Sequence, residues 1–159
     1  MTEKFVLPGI QEINTPTSPI SVEELEILRH QYYSEGQFVS LQTRFNYAWG
    51  LVRSQTVSDQ QFGVKLLTDL FKDSPERRRE VLYYLSIGNY KLQEYSKARK
   101  YADILLEIEP DNRQAAQLRQ VIEDRLAKEG LIGVAITSGV IAAAAAAITF
   151  FAKYHNTRR

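Results

Sequence analysis

The stretch ERRREVLYYLSIGNYKLQEYSKARKYADILLEIEP, residues 76–110, decides the fold. Ser74 followed by Pro75 is a cap-then-proline helix start, because a proline at the first helical position lacks only an N–H that would be orphaned anyway. Val81, Leu82, Leu85 and Leu92 supply the apolar set of that helix. A second helix runs from about Tyr95 through Ala98, Tyr101, Ala102 and Leu105, and Pro110 closes it. Small residues, Ser86 and Gly88, let the two helices approach closely as an antiparallel pair. The same spacing occurs upstream: Gly63, Leu67, Leu70 and Pro75 have the intervals of Ala98, Ala102, Leu105 and Pro110, displaced by 35 residues.

Outward from this hairpin the chain is helical throughout. Ser21 and Glu24 have capping-box spacing, Leu25, Leu28 and Tyr32 follow on one face, and Gly36 is a natural stop. A second helix starts near Ser40 and carries Leu41, Phe45, Ala48, Trp49 and Val52. Ser58 with Gln61 reads as a second capping box, flanked by Val57 and Phe62 as a hydrophobic staple, and opens the helix of Leu66, Leu67, Leu70 and Phe71. Asp111 with Gln114 starts the sixth helix, whose buried side is Ala115, Leu118, Ile122 and Leu126. No stretch between Ser21 and Glu129 makes a convincing strand, so the fold class is all-α, a six-helix bundle.

The 35-residue period resembles the tetratricopeptide repeat, a helix-turn-helix unit of about 34 residues. Two such tandem units cannot seal their own ends, which leaves the first and sixth helices as caps of a short superhelix with one concave face. Residues 1–20 read as an N-terminal arm: Pro8, Gly9, Pro16 and Pro19 deny it a long helix. Its apolar residues Phe5, Val6, Leu7, Ile10 and Ile13 suit an extended segment docking reversibly on the domain's own surface.

At the other end, GLIGVAITSGVIAAAAAAITFFA, residues 130–152, reads as a single transmembrane helix, with no charge from Leu131 to Ala152. Twenty-two helical residues span roughly 33 Å, close to the hydrocarbon thickness of a bilayer. Lys153, Arg158 and Arg159 lie in the short basic tail, 153–159. The expected organisation is a tail anchor in the lipid bilayer, with the helical domain 21–129 on the cytosolic side. The small residues of the anchor keep its hydrophobicity moderate and can also support helix packing in the membrane.

Composition excludes several function classes. Residues 1–130 hold all 19 acidic residues against 17 Lys and Arg, unlike the basic footprint of a nucleic-acid binder. There is no cysteine, hence no disulfide, thiolate metal site or Cys nucleophile. His30 and His155 are the only histidines, and no phosphate-cradling glycine loop or Ser-His-acid set is present. The N-terminus lacks an apolar run of signal-peptide length. We expect no cofactor, no metal and no enzymatic activity.

The blocks FNYAWGLV (45–52) and YYLSIGNYKLQEY (83–95), with the C-terminal anchor, resemble the mitochondrial fission protein 1 family, nearest its yeast members, from Ser21 to the tail. The resemblance implies a receptor of the mitochondrial outer membrane, also found on peroxisomes, with its tail in the intermembrane space. It further implies that the cytosolic domain recruits WD-repeat adaptor proteins, which assemble a dynamin-related GTPase for membrane fission, and that the arm packs along the concave groove.

In tetratricopeptide units the first helix of each pair lines the concave face. That face reads Glu80, Tyr83, Ile87 and Tyr90, with Lys91 at its edge, on the second unit, and Phe45, Ala48, Trp49 and Val52 on the first. With Leu82, Leu85, Ser86 and Leu92 taken up by the core, the remaining stripe suits an amphipathic helix or extended segment laid in a groove. Arg77, Arg78 and Arg79 read as a solvated face beside Glu76 and Glu80. The alternative function is a tetratricopeptide receptor for chaperones or precursor proteins, for which Asn89 and Lys91 are partial carboxylate-clamp candidates. Homo-oligomerisation stays open.

Overall fold

A computed structural model describes residues 19–130. The helices are α1 (Val22–Ser34), α2 (Leu41–Arg53), α3 (Val57–Asp73), α4 (Arg78–Lys91), α5 (Tyr95–Ile108) and α6 (113–130). No strand occurs among the described residues, as the sequence predicts. The chain divides into two compact units, Met1–Glu123 and Asp124–Arg159; the described part of the second, 124–130, is helical. Among the described residues no helix is long and apolar enough to cross a membrane; the expected anchor beyond Gly130 and the arm up to residue 18 lie outside the described residues.

Local chemistry sets the helix ends. Ser21 and Ser40 are N-caps, their hydroxyls accepting from the amides of Glu24 (3.0 Å) and Thr43 (3.1 Å). Gly36 ends α1 at φ +67°, a conformation that costs glycine least. Three starts differ from the sequence reading. The N-cap of α3 is Thr56 and not Ser58, and Val57 is exposed rather than stapled. Ser54 causes the shift: its hydroxyl donates to Asp59 at 2.8 Å and its carbonyl accepts from Gln60 Nε2 at 2.7 Å, which draws the helix start forward. Pro75 opens a 3-10 turn, Pro75–Arg77, before α4 proper. Asn112 rather than Asp111 caps α6, its side chain accepting from the Ala115 amide at 2.9 Å.

The repeat spacing becomes packing. Gly63, Leu67, Leu70, Ala98, Ala102 and Leu105 are all buried. Gly63 lets α3 lie directly against α2: a Cβ there would stand 2.7 Å from the Ala48 carbonyl oxygen and 2.9 Å from the Val52 amide nitrogen. In the second hairpin the buried Ser86 hydroxyl donates to the Ala98 carbonyl at 2.8 Å, tying α4 to α5. The turn between them is a Schellman motif, in which Glu94 N–H reaches Asn89 O (2.9 Å) and Gln93 N–H reaches Tyr90 O (3.0 Å), with Gln93 at φ +62°.

The cap helices are held differently. Glu35, beyond α1, accepts from Thr43 Oγ1 (2.6 Å) and the Ser40 amide (2.8 Å) at the start of α2. Tyr47 of α2 is buried among Tyr32, Tyr33 and Phe62 and accepts from Arg29 of α1 at 3.2 Å. Between α5 and α6, Arg99, Asp103, Arg119 and Glu123 form a closed ring of ion pairs of alternating sign.

Candidate partner-binding groove

α2 and α4, the leading helices of the two hairpins, lie side by side. The Tyr84 ring meets Phe45 and Trp49 of α2, centroids 4.9 and 4.6 Å away, and Lys91 Nζ donates to the Val52 carbonyl at 3.2 Å. Gly88 faces Val64 of α3, and Ser86 faces α5. At about 100° per residue these contacts fix three sides of α4. The fourth carries Glu80, Tyr83, Ile87 and Tyr90, the residues that repeat register assigns to the concave face.

Their burial departs from the sequence picture of a filled core face beside a free aromatic one. Every residue from Val81 to Asn89 is buried, Tyr83 at 0 % and Ile87 at 2 % exposure, while Glu80, Tyr90 and Lys91 at the two ends of the stripe are half-buried. Tyr90 is half-buried against Tyr95, ring centroids 5.3 Å apart. Glu80 is half-buried and pairs with Arg77 at 3.2 Å; burial raises its carboxyl pKa against the opposing pull of that guanidinium. Burial lowers the pKa of Lys91, and the neighbouring Arg53 charge acts in the same direction.

On α2 the expected stripe is rotated. Phe45, Ala48 and Val52 are buried between α2 and its neighbours, and only Trp49 is half-buried. The flank that α2 leaves open carries Gln42, Asn46, Trp49 and Arg53. Apolar periodicity could not find this flank, because it marks the side turned to the core and three of the four residues are polar. Tyr84 was missed too: sequence spacing gave it no role, yet its ring touches Phe45, Trp49 and Tyr83 and joins the two repeat units.

The arginine run lies at the surface, Arg78 and Arg79 exposed and Arg77 half-buried, and each member has a partner within the domain. Arg77 pairs with Glu80 and donates to Gln42 at 3.1 Å. Arg78 donates to the Phe71 carbonyl at 3.0 Å and lies over the Phe71 ring, and Arg79 pairs with Glu109. Asn89 is buried and donates to the Leu85 carbonyl at 2.8 Å, so it is not presented to a ligand carboxylate. Phe5, Val6, Leu7, Ile10 and Ile13 lie outside the described residues. No group of three His, Cys, Asp or Glu among the described residues could hold a metal ion. The arrangement offers aromatic and aliphatic contact bounded by charge, which suits binding rather than bond-making.

Comparison with known proteins agrees with this architecture. A family model described as the Fis1 N-terminal tetratricopeptide repeat matches residues 42–74, and one described as the Fis1 C-terminal tetratricopeptide repeat matches residues 79–131. The chain is 60 % identical over 148 residues to the mitochondrial fission 1 protein of Yarrowia lipolytica, covering 93 % of this chain and 94 % of that one. The crystal structure of fission protein Fis1 from Saccharomyces cerevisiae matches with TM-score 0.75 at 45 % identity, covering 82 % of this chain and 99 % of that one. A crystal structure of yeast Fis1 in complex with an Mdv1 fragment containing N-terminal extension and coiled coil domains matches with TM-score 0.74 at 46 % identity, covering 79 % and 98 %.

Proposed function

Because the chain belongs to the mitochondrial fission 1 protein family, we propose that it is a tail-anchored receptor that holds an adaptor in the groove between α2 and α4. The observation that carries this reading is the meeting of two leading helices at Tyr84, whose ring touches Trp49 of one repeat unit and Tyr83 of the other. The relative solved with an Mdv1 fragment supports a protein partner of this kind, and the family resemblance makes that partner a WD-repeat adaptor. Through that adaptor the receptor gathers a dynamin-related GTPase for mitochondrial and peroxisomal fission. Residues 130–152 form the anchor in the outer membrane, with the helical domain cytosolic and residues 153–159 in the intermembrane space.

The apolar arm residues Phe5 to Ile13 lie over the groove when no adaptor is bound. Support comes from the match in chemistry, five apolar arm residues against the aromatic and aliphatic side of α4 that carries Tyr83 and Ile87. Tyr83→Ala with Ile87→Ala abolishes capture of the Mdv1 fragment by the full chain in nanodiscs, and Trp49→Ala, at a half-buried site, weakens it with the fold intact by circular dichroism. Undiminished capture by folded variants refutes the groove. Deleting residues 1–18 changes the fragment's Kd; an unchanged Kd refutes the docked arm.

A further inference from the structure

Lys91 closes one end of this groove. Its ammonium is half-buried and its one hydrogen bond among the described residues is to the Val52 carbonyl, 3.2 Å away. An ammonium has three N–H donors, so this bond leaves two. Arg53, next in sequence to Val52, is paired with Glu24 at 3.8 Å and lies near enough for its charge to act on the Lys91 ammonium. At the opposite end Glu80 is neutralised by Arg77 at 3.2 Å. The eleven positions from Glu80 to Lys91 span roughly 16 Å of helix. The groove therefore runs from the paired charges of Arg77 and Glu80 to the Lys91 ammonium, whose described partner is a neutral carbonyl, with Tyr83, Ile87, Tyr90 and Trp49 between them.

We infer that the segment bound in this groove carries a carboxylate side chain that docks on Lys91 beside Arg53, so that Lys91 sets both the direction and the charge of the partner it accepts. The inference rests on the reading of the groove as the adaptor site. Stability alone is a poor reason for the arrangement: a half-buried cation held only by a neutral carbonyl is desolvated without a counter-ion. The carbonyl at the end of α2 accounts for one donor and favours a cation there. A carboxylate arriving at the remaining donors supplies the missing charge. A segment with a neutral or basic residue at that position leaves the ammonium desolvated and is rejected.

The test is a titration of the full chain, in nanodiscs of uncharged lipid, with the Mdv1 fragment spanning the N-terminal extension and coiled coil, at low and high salt. Lys91→Met is expected to weaken binding about tenfold and to flatten its salt dependence, while Lys91→Arg retains both. Changing the Asp and Glu residues of the fragment's N-terminal extension to Asn and Gln should reproduce the loss in the wild-type chain and add nothing to Lys91→Met. If Lys91 serves only to cap α2, Lys91→Met lowers Tm, leaves the salt slope unchanged, and its loss adds in full to that of the neutralised fragment; that result overturns the inference and leaves the groove standing. Failure of the wild-type chain to bind the fragment overturns both.

Discussion

Gly63→Ala tests the closest approach in the bundle. In an exposed helix this change would stabilise by about 1 kcal/mol, because glycine is the poorer helix former. Here the added methyl would meet the Ala48 carbonyl oxygen at 2.7 Å, the Val52 amide nitrogen at 2.9 Å and Val52 Cγ2 at 2.9 Å. Two of these are backbone atoms of α2, so no rotamer change relieves them and the helices themselves must separate by several tenths of an ångström. Overpacking of this kind costs roughly 1–3 kcal/mol, and a backbone clash belongs at or above the upper end. The net expectation is destabilisation by about 2 kcal/mol, a fall in Tm of about 8 °C for a domain near 110 residues. Trp49, the only tryptophan, lies on α2 and reports the separation directly in urea denaturation followed by fluorescence. Gly50→Ala is the control: its nearest contact, 2.6 Å, is Leu28 Cδ1, the far end of a flexible side chain, and the loss should stay below about 1 kcal/mol. Equal or greater stability of Gly63→Ala would refute the argument that backbone contact at this glycine sets the spacing of the first hairpin.

Ser86→Ala removes the buried hydrogen bond to the Ala98 carbonyl without leaving an unpaired donor, and should cost about 1 kcal/mol in the same denaturation assay. Gln93→Gly relieves the left-handed backbone at φ +62° and should gain about 0.5–1 kcal/mol, after the extra unfolded-state entropy of glycine is counted. Hydrogen bonds from Thr43 Oγ1 and then the Ser40 amide hold the Glu35 carboxyl below its ordinary pKa of 4.5. The unfolded chain therefore binds this proton more tightly, so the contribution is present above about pH 4.5 and is lost as pH falls through the lower folded value. Glu35→Gln should flatten that part of the acid limb, seen as exchange of the α1 amides against pH.

Sequence reading succeeded where structure is decided locally. Ser21 caps as expected because the hydroxyl and its amide lie three residues apart on one chain, and the helix start near Ser40 holds through the same local contact. The repeat intervals around Gly63 and Ala98 hold for the same reason, since spacing along a helix fixes which residues share a face. Ser58 failed because Ser54, outside the capping pattern, captured Asp59 and Gln60 and moved the helix start. The α2 half of the groove was rotated because periodicity gives an apolar side without saying which neighbour covers it. Phe45 faces Tyr84, and Val52 lies against Gly63 and within reach of Gly88. On α4 nine consecutive residues are buried, and such a run has no period from which a hub such as Tyr84 can be picked out.

The ring of Arg99, Asp103, Arg119 and Glu123 also constrains descent. Each member touches two neighbours of opposite sign, so inverting any one of them alone turns two attractions into two repulsions. Neutralising a single position leaves a surplus charge across the gap between the helices. The expected pattern of substitution is coupled: lineages should keep all four signs, exchange them in concert, or replace the whole circuit by apolar contact. A homologue carrying one reversed charge and three originals should be found only where a further compensating substitution stands beside it.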